Sequence, residues 1–335
     1  MLVAACLLLS VELWLHTDDF LFRYRSVFAA GRALDKVLYV EERKPELLIL
    51  GDSRADNGFD PRTLGQAIDF RLARPAFNLG VPGADARVLA GIVDRLDRKG
   101  VLGAAGVRYV VLSLDETIVQ PINTLGQEVF FASIPRMWTE GQYLDVLRAS
   151  FRLYGYAANL RELREPATLV RFARATCSDV DPVGGAAAAH LGYRAGFGGL
   201  QDAQSAALQE VGSFGPPNPM NLQNLWHMLD LLHRRGVGVA VVFPPLLNRD
   251  VLYLAGPPHE RVPYLTIADE LRRRHIPMIT LDSGPPRDPA EFINAGHLND
   301  RGAQRYSALL GQALNRIWGA EPDRSIDMTL RSKSS

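Results

Sequence analysis

Short apolar runs alternate along the chain with longer segments in which apolar residues recur every three or four positions. This alternation predicts five buried strands with amphipathic helices between and after them. The predicted strands are Glu46–Ser53, Ala76–Asp85, Val107–Glu116, Val237–Pro245 and Ile276–Ser283. The predicted helices are Ala86–Gly100, Asn221–Gly236, Glu260–His275 and Asp300–Trp318. Strands that alternate with helices form a parallel sheet covered on both faces, so the sequence predicts an α/β fold built as a three-layer α/β/α sandwich.

The alternation is interrupted over Pro121–Met220. Tyr143–Pro166 has a helical pattern, whereas Asp181–Gly199 and Gly212–Pro219 have the composition of loops. Loops this long inside a compact domain are usually functional or disordered. We therefore expect a large, mostly helical and loop insertion at about residues 121–220, which covers the functional site.

The N-terminal run Met1–Leu15 is apolar apart from Ser10 and Glu12. It is shorter than the ~20 residues that cross a bilayer, and it lacks the basic start of a secretory signal. The cationic residues that follow it argue, by the positive-inside rule, against export of the C-terminal part. These residues are Arg23, Arg25, Arg32 and Lys36. Two interpretations stay open, a membrane anchor and a buried amphipathic helix, and we favour the anchor.

These patterns divide the chain into three parts. Residues 1–40 are expected to form the anchor and a juxtamembrane segment. Residues 41–320 are expected to form one domain that contains the insertion, and residues 321–335 a flexible tail.

Charge and cysteine content exclude several classes of function. Lysine and arginine number 37, as do aspartate and glutamate, so the chain of 335 residues has no net charge. Without a basic stripe it is not expected to bind nucleic acid. Two cysteines make no disulfide framework, and no Cys/His group has the spacing of a zinc site. We therefore predict no metal and no cofactor.

The first predicted strand ends in Gly51-Asp52-Ser53. These are ordinary turn residues, but a serine at the carboxyl end of a strand can also be a nucleophile, because ligands of parallel sheets bind beyond that end. Such a serine needs a base to take its proton. His297 lies between the last predicted strand and the last helix, at the same edge of the sheet. The six other histidines have positions that surface, turn or capping roles explain.

Three segments together resemble the SGNH (GDSL-type) hydrolase superfamily. "ILGDSR" resembles its first block, "FNLGVPGA" its second and "NAGHLNDRGA" its last. The resemblance implies that Ser53 is the nucleophile and His297 the base. It also implies that the backbone N–H groups of Ser53 and Gly80 form the oxyanion hole.

Within this superfamily the chain is most similar to the membrane-anchored, extracytoplasmic bacterial branch. The resemblance implies acyl transfer to a cell-surface polysaccharide or an exopolysaccharide, that is, O-acetylation. The implied partners are the polysaccharide, an acyl donor that a membrane-bound acyltransferase supplies, and the inner membrane. The implied location is that membrane, with one N-terminal anchor and the catalytic domain in the periplasm. A carbohydrate acetylesterase and a non-catalytic glycan-binding or scaffold protein of a secretion complex remain the alternatives.

Two positions depart from the superfamily pattern. The third block ends in Asp115 where an asparagine donor is expected, so Asn123 of the insertion is a candidate replacement donor. Asn294 stands three residues before His297 where an aspartate is expected; its amide oxygen can still accept from the imidazole N–H. We therefore include Asn294 in the catalytic group. Arg54, Asp115 and Asn123 are candidate substrate contacts.

Overall fold

A five-stranded parallel sheet forms the centre of the molecule. The computed structural model describes residues 2–28, 30–120, 127–131, 133–177, 186–196 and 214–319. The strands are β1 Leu47–Gly51, β2 Phe77–Gly80, β3 Tyr109–Ser113, β4 Gly238–Val242 and β5 Met278–Ile279. Their order across the sheet is β2-β1-β3-β4-β5, and every neighbouring pair is parallel. All five predicted strands are therefore confirmed, each shorter than its apolar run.

Helices surround this sheet and also fill much of the insertion. In chain order they are α1 Leu2–Leu15, α2 Asp18–Arg23, α3 Gly31–Arg43, α4 Ser53–Gly58, α5 Pro61–Ala67, α6 Ala86–Arg98, α7 Glu128–Phe131, α8 Ile134–Thr139, α9 Tyr143–Ser150, α10 Arg152–Gly155, α11 Ala157–Arg161, α12 Pro166–Cys177, α13 Ala186–Ala189, α14 Pro219–Arg234, α15 Pro258–Arg273 and α16 Asp300–Trp318. Short 3-10 turns lie at Arg25–Val27, Glu116–Val119, Glu162–Arg164 and Pro289–Glu291. The four predicted helices correspond to α6, α14, α15 and α16.

Buried side chains alternate between the two faces of the sheet. On β1, Leu48 and Leu50 join the core cluster that contains residues of α3, α6, α14 and α15, whereas Leu47 and Ile49 join the cluster that contains residues of α5 and α16. This period-two alternation follows from strand geometry, in which successive side chains point to opposite faces. Helices cover both faces, so the α/β prediction is confirmed and the arrangement has three layers.

The strand order places a topological switch between β1 and β3. From β1 the chain moves to β2 at one edge, and it then returns to β3 on the other side of β1. Ligands of open α/β sheets bind beyond the carboxyl ends of the strands at such a switch. Ser53 follows β1 and Asp115 follows β3, so both residues flank this position.

A small antiparallel hairpin carries the C-terminal motif. Its strands are β6 Phe292–Asn294 and β7 His297–Leu298, and Asn294 pairs directly with His297. The hairpin was not predicted from the sequence. It packs on α4 and is joined to the segment after β4 by the Leu247 N–H, which donates to the Ala295 carbonyl at 2.9 Å.

The N-terminal region differs from its predicted division. In α1 the apolar side chains from Val3 to Trp14 are exposed, which contradicts the alternative of a buried helix. Helix α3, by contrast, packs on the sheet through side chains such as Leu34 and Val37, so the domain begins upstream of the predicted boundary at residue 41. Of the helices in the described ranges, none has the length and apolar content needed to cross a membrane.

Described parts of the insertion pack against the N-terminal region. Tyr24 stacks on Phe172 of α12 with ring centroids 4.5 Å apart, and Phe20 stacks on Tyr156 at 5.8 Å. Residues 190–196 lie beside the edge strand β2, where the Leu191 carbonyl accepts from the Asn78 N–H at 2.8 Å. The predicted tail lies outside the described residues.

Candidate active site

Ser53 is the first residue of a helix that begins directly beyond β1. Gly51 permits this tight exit, because a Cβ there would lie 2.8 Å from the Ala55 Cβ. Asp52 caps the helix: its carboxylate accepts from the Arg54 N–H at 2.8 Å. The Ser53 N–H opens the helix, where an amide has no carbonyl one turn earlier to bind. Ser53 therefore presents its hydroxyl and its N–H at the carboxyl edge of the sheet.

The hairpin brings His297 to this hydroxyl. The Ser53 Oγ lies 2.9 Å from the His297 Nε2, across 244 positions of sequence. On the other side of the ring, Nδ1 lies 3.0 Å from the Asn294 Oδ1. The same Asn294 oxygen accepts from the Gly296 N–H at 2.9 Å. Ser53, His297 and Asn294 thus form one hydrogen-bonded chain, and the structure brings together the three residues predicted to act in catalysis.

This chain determines which imidazole nitrogen carries the proton. The atom of Asn294 that faces the ring accepts from the Gly296 N–H, so it is the amide oxygen, which can only accept. The His297 Nδ1 must then be the donor, and Nε2 is left with a lone pair directed at the Ser53 Oγ. Burial, followed by the nearby Arg54 charge, lowers the pKa of His297 to about 4, so the ring is neutral at neutral pH. It can accept a proton from serine.

Beneath Ser53 lies a buried group of charged side chains. The Asp115 Oδ2 lies 2.8 Å from the Arg54 Nη1, and Glu116 lies 2.8 Å from Arg249. Asp115 is 0% exposed and Arg54 8%. Both side chains are therefore beneath the surface, and the prediction that Arg54 and Asp115 contact substrate directly is wrong for this structure. Their ion pair joins α4 to the residue after β3, and the Arg54 charge lowers the pKa of His297 while the Asp115 charge raises it.

Asp52 belongs to the same group and is held near its protonated form. The Thr117 hydroxyl contacts Asp52 Oδ2 at 2.6 Å and also contacts Asp115 Oδ1. A hydroxyl has one proton to donate, so one of the two contacts requires a carboxyl O–H. Burial and the neighbouring Asp115 raise the pKa of Asp52 to about 7. Asp52 is therefore about half protonated near neutral pH.

Gly80 does not have the role that the resemblance implied. Its N–H donates to the Asn78 Oδ1 at 2.8 Å, and its carbonyl accepts from the Lys36 Nζ at 2.6 Å. With the N–H already donated, the prediction of Gly80 as an oxyanion donor is wrong for this structure. Gly80 is needed for space, because a Cβ there would lie 2.3 Å from the Asp56 N.

A second buried ion cluster next to α4 was missed by the sequence reasoning. The Lys36 Nζ lies 2.5 Å from the Asp56 Oδ1, and Arg32 binds the same carboxylate at 2.8 Å. Burial lowers the pKa of Lys36 to about 8. A signal was available, because Lys36 is at helical spacing from the buried Ala33 and Val40 and so faces the core.

Residues 190–196 of the insertion add a cation at this edge. The Arg194 N–H donates to the Asp56 carbonyl at 3.0 Å, and the exposed Arg194 side chain is close enough for its charge to lower the pKa of His297. Arg194 was not predicted as a site residue. Asn123, predicted as a replacement donor, lies outside the described residues. Within the described ranges, no group of His, Cys, Asp and Glu side chains could hold a metal ion.

Comparison with known proteins does not assign the chain to a family. Neither the models of known protein families nor the curated proteins include a match to this chain.

Proposed function

We propose that this protein is a serine-dependent acyltransferase of the SGNH (GDSL-type) hydrolase superfamily. The observation that carries the proposal is the hydrogen-bonded chain from Ser53 through His297 to Asn294. Nucleophile, base and orienting group in this order form the arrangement that activates a serine hydroxyl. The order of the motifs and the α/β sheet support it.

The proposed reaction has two halves. The Ser53 Oγ attacks the acyl carbonyl carbon, its proton passes to the His297 Nε2, and the Ser53 N–H donates to the oxyanion. His297 then protonates the departing group as the bond to it breaks, which leaves an ester on Ser53. In the second half His297 takes a proton from an incoming hydroxyl, which attacks the ester and releases Ser53. A sugar hydroxyl makes the protein a transferase, and water makes it an esterase.

The proposed setting follows the superfamily resemblance. The acceptor is a bacterial cell-surface polysaccharide or exopolysaccharide, and the acyl group arrives from a donor that a membrane-bound acyltransferase supplies. Helix α1 holds the protein at the inner membrane with the α/β domain in the periplasm. The amide at Asn294 favours a second candidate, a catalytically impaired glycan-binding protein, because it stabilises imidazolium less than a carboxylate does.

Incubation of the purified protein with p-nitrophenyl acetate tests the proposal. We expect mass spectrometry to find an acetyl group on Ser53 of the parent and none on the Ser53→Ala variant. Ser133→Ala is the matched control, since Ser133 is likewise at the start of a helix and makes no side-chain cap. It should acylate like the parent. Absence of an acetyl adduct from the parent, or equal ester hydrolysis by Ser53→Ala, would exclude the serine mechanism. Addition of an oligosaccharide then separates transfer from hydrolysis.

A further inference from the structure

Exposed apolar side chains are concentrated in two parts of the chain that are distant in sequence and close in the structure. Among the large hydrophobic side chains exposed in the described residues, seven lie on α1, ten lie between Ile134 and Val170, and two, Leu254 and Val262, lie elsewhere. Single exposed apolar residues are ordinary on a soluble surface, but a contiguous group marks an interaction surface. We call the exposed residues of α1 and of 134–170 the apolar face.

The two parts of the apolar face belong to one packed unit. The carboxylate of Glu12 on α1 accepts from the backbone N–H groups of Arg152 and Leu153 at the start of α10. Behind α1, Phe28 lies against Phe130 with ring centroids 5.1 Å apart, in the same aromatic cluster as Tyr156. These contacts join α1 to the insertion helices, so the two exposed parts are neighbours in the structure.

The insertion contributes a run of exposed apolar side chains on two successive helices. Leu144, Leu147, Phe151 and Tyr154 follow each other at intervals of three or four residues and are all exposed. On α9 this spacing places Leu144 and Leu147 on one side of the helix, and Phe151, at the extended junction before α10, and Tyr154 on α10 continue the exposed apolar run. Trp138 of α8 extends the same run, since its ring meets Tyr143 with centroids 5.3 Å apart.

The exposure of α1 favours lipid over a protein partner. Leu8, Leu9 and Leu13 are each about 60% exposed, and Val3 is 74% exposed. At 100° per residue these side chains point in widely different directions around the helix. A protein surface covers one side of a helix, whereas the acyl region of a bilayer surrounds it. The helix therefore requires an apolar medium more than a complementary groove.

The edges of the apolar face suit a bilayer surface. Trp138, Tyr143 and Tyr154 are exposed amphipathic rings of the kind enriched at the headgroup level. On α11, α12 and the turn between them, four arginines are exposed against two glutamates. These are Arg161, Arg164, Arg171 and Arg174 against Glu162 and Glu165. An apolar surface with a cationic margin attracts anionic lipid.

We propose that helices α8–α12 lie on an anionic lipid bilayer and form, with α1, one membrane-docking face. This goes beyond the proposed function, which gives membrane contact to α1 alone. It also orients the catalytic site. Arg87, at the start of α6 on the carboxyl edge of the sheet, donates to Gln142 at 2.8 Å and lies 3.3 Å from Asp145 on α9. The docked helices are thus tied to the edge that carries Ser53, and the site stands beside the membrane surface.

Sedimentation of the full chain with vesicles of phosphatidylcholine and phosphatidylglycerol tests the proposal. We expect the variant Leu144→Asn, Leu147→Asn, Phe151→Asn to partition about tenfold more weakly or worse, because three inserted apolar side chains are lost. The matched control carries Leu254→Asn and Val262→Asn, the exposed hydrophobics outside the face, and should bind like the parent. Equal partitioning of parent and triple variant would overturn the proposal, since α1 alone would then account for binding.

A second measurement reports the position of one side chain. We expect lipids brominated near the headgroup to quench Trp138, measured as the difference between the parent and Trp138→Phe. Unquenched Trp138 in bound protein overturns the proposal. The proposal is also overturned if the parent self-associates without lipid, as seen by analytical ultracentrifugation, and the triple variant does not. A second copy of the chain would then cover the apolar face. Circular dichroism checks folding. The acetyl adduct on Ser53, measured without vesicles, should be unchanged in the triple variant, so failure of docking is distinguished from failure of the serine mechanism.

Discussion

Replacing Asn294 by aspartate places a carboxylate beside the imidazole of His297, and we expect faster acylation of Ser53. Both hydrogen bonds of the present amide oxygen survive the change, since the Gly296 N–H and the His297 Nδ1–H both donate to it. The two side chains are nearly isosteric, so the hairpin keeps its packing. What changes is the charge that faces the ring.

The size of the effect follows from the geometry. The Asn294 Oδ1 and the His297 Nδ1 are 3.0 Å apart. The centres of a carboxylate and an imidazolium in this arrangement are about 4 Å apart, which at an effective dielectric constant of about 20 gives about 4 kcal/mol of attraction. That equals about 3 pKa units. The pKa of His297, now about 4, should rise to about 7.

The rate should change less than the pKa. If the transition state carries about half of the imidazolium charge, it gains about 2 kcal/mol, which is about 30-fold in acylation rate. The gain depends on pH, because only the neutral ring accepts a proton. In the parent the rate should fall as the pH drops through about 4, and in Asn294→Asp as it drops through about 7. The advantage of the variant should therefore be greatest above pH 7 and shrink below it.

Single-turnover acylation by p-nitrophenyl acetate, measured against pH, checks both expectations. Asn294→Ala should acylate more slowly than the parent, because the ring loses its orienting acceptor. Asn218→Asp is the matched control: it makes the same chemical change at the cap of α14, where aspartate caps as well as asparagine. If the acid limb of Asn294→Asp stays at that of the parent, or if Asn294→Ala acylates equally fast, Asn294 does not orient the base.

Two further predictions concern the buried surroundings of Ser53. Gly80→Ala should lower the free energy of unfolding by about 3 kcal/mol or more, because the new Cβ would lie 2.3 Å from the Asp56 N. Gly65→Ala is the control and should not destabilise the protein, because a Cβ there would have no neighbour within 4 Å. Urea unfolding compares the two variants, and equal midpoints would contradict the packing argument. Asp52→Asn should remove a pH dependence of stability. Because the folded-state pKa of Asp52 is raised to about 7, this residue contributes stability below about pH 4 that is lost as the pH rises through 7. The unfolding free energy of the parent should therefore fall over that interval relative to the variant, and parallel plots of unfolding free energy against pH would refute the prediction.

The local pattern of the sequence was enough to predict the sheet and the proximity of Ser53 and His297. Apolar periodicity is a property of short segments, so it showed five strands and the helices between them. The carboxyl ends of parallel strands meet at one edge, so Ser53 after the first strand and His297 after the last could be expected together. Asn294 was predicted from the superfamily resemblance, because it stands three residues before His297 where an aspartate is expected; the hairpin that pairs the two residues was not predicted.

The pairing of buried charges was decided only by the tertiary structure. Arg54 meets Asp115, and Lys36 meets Asp56, across 61 and 20 positions of sequence, with nothing in the local pattern to choose between acidic partners. The superfamily resemblance implied that the Gly80 N–H donates to an oxyanion, but in the structure it donates to the Asn78 Oδ1.

The position of the insertion was likewise beyond the sequence. Its helices show amphipathic spacing, but this spacing does not determine which surface their apolar sides pack against. Three-dimensional packing joined it to the aromatic residues that follow α1 and left its other side exposed. Local periodicity thus determines which segments are helices and strands, whereas contacts between distant segments determine which polar groups are satisfied and which surfaces remain for a partner.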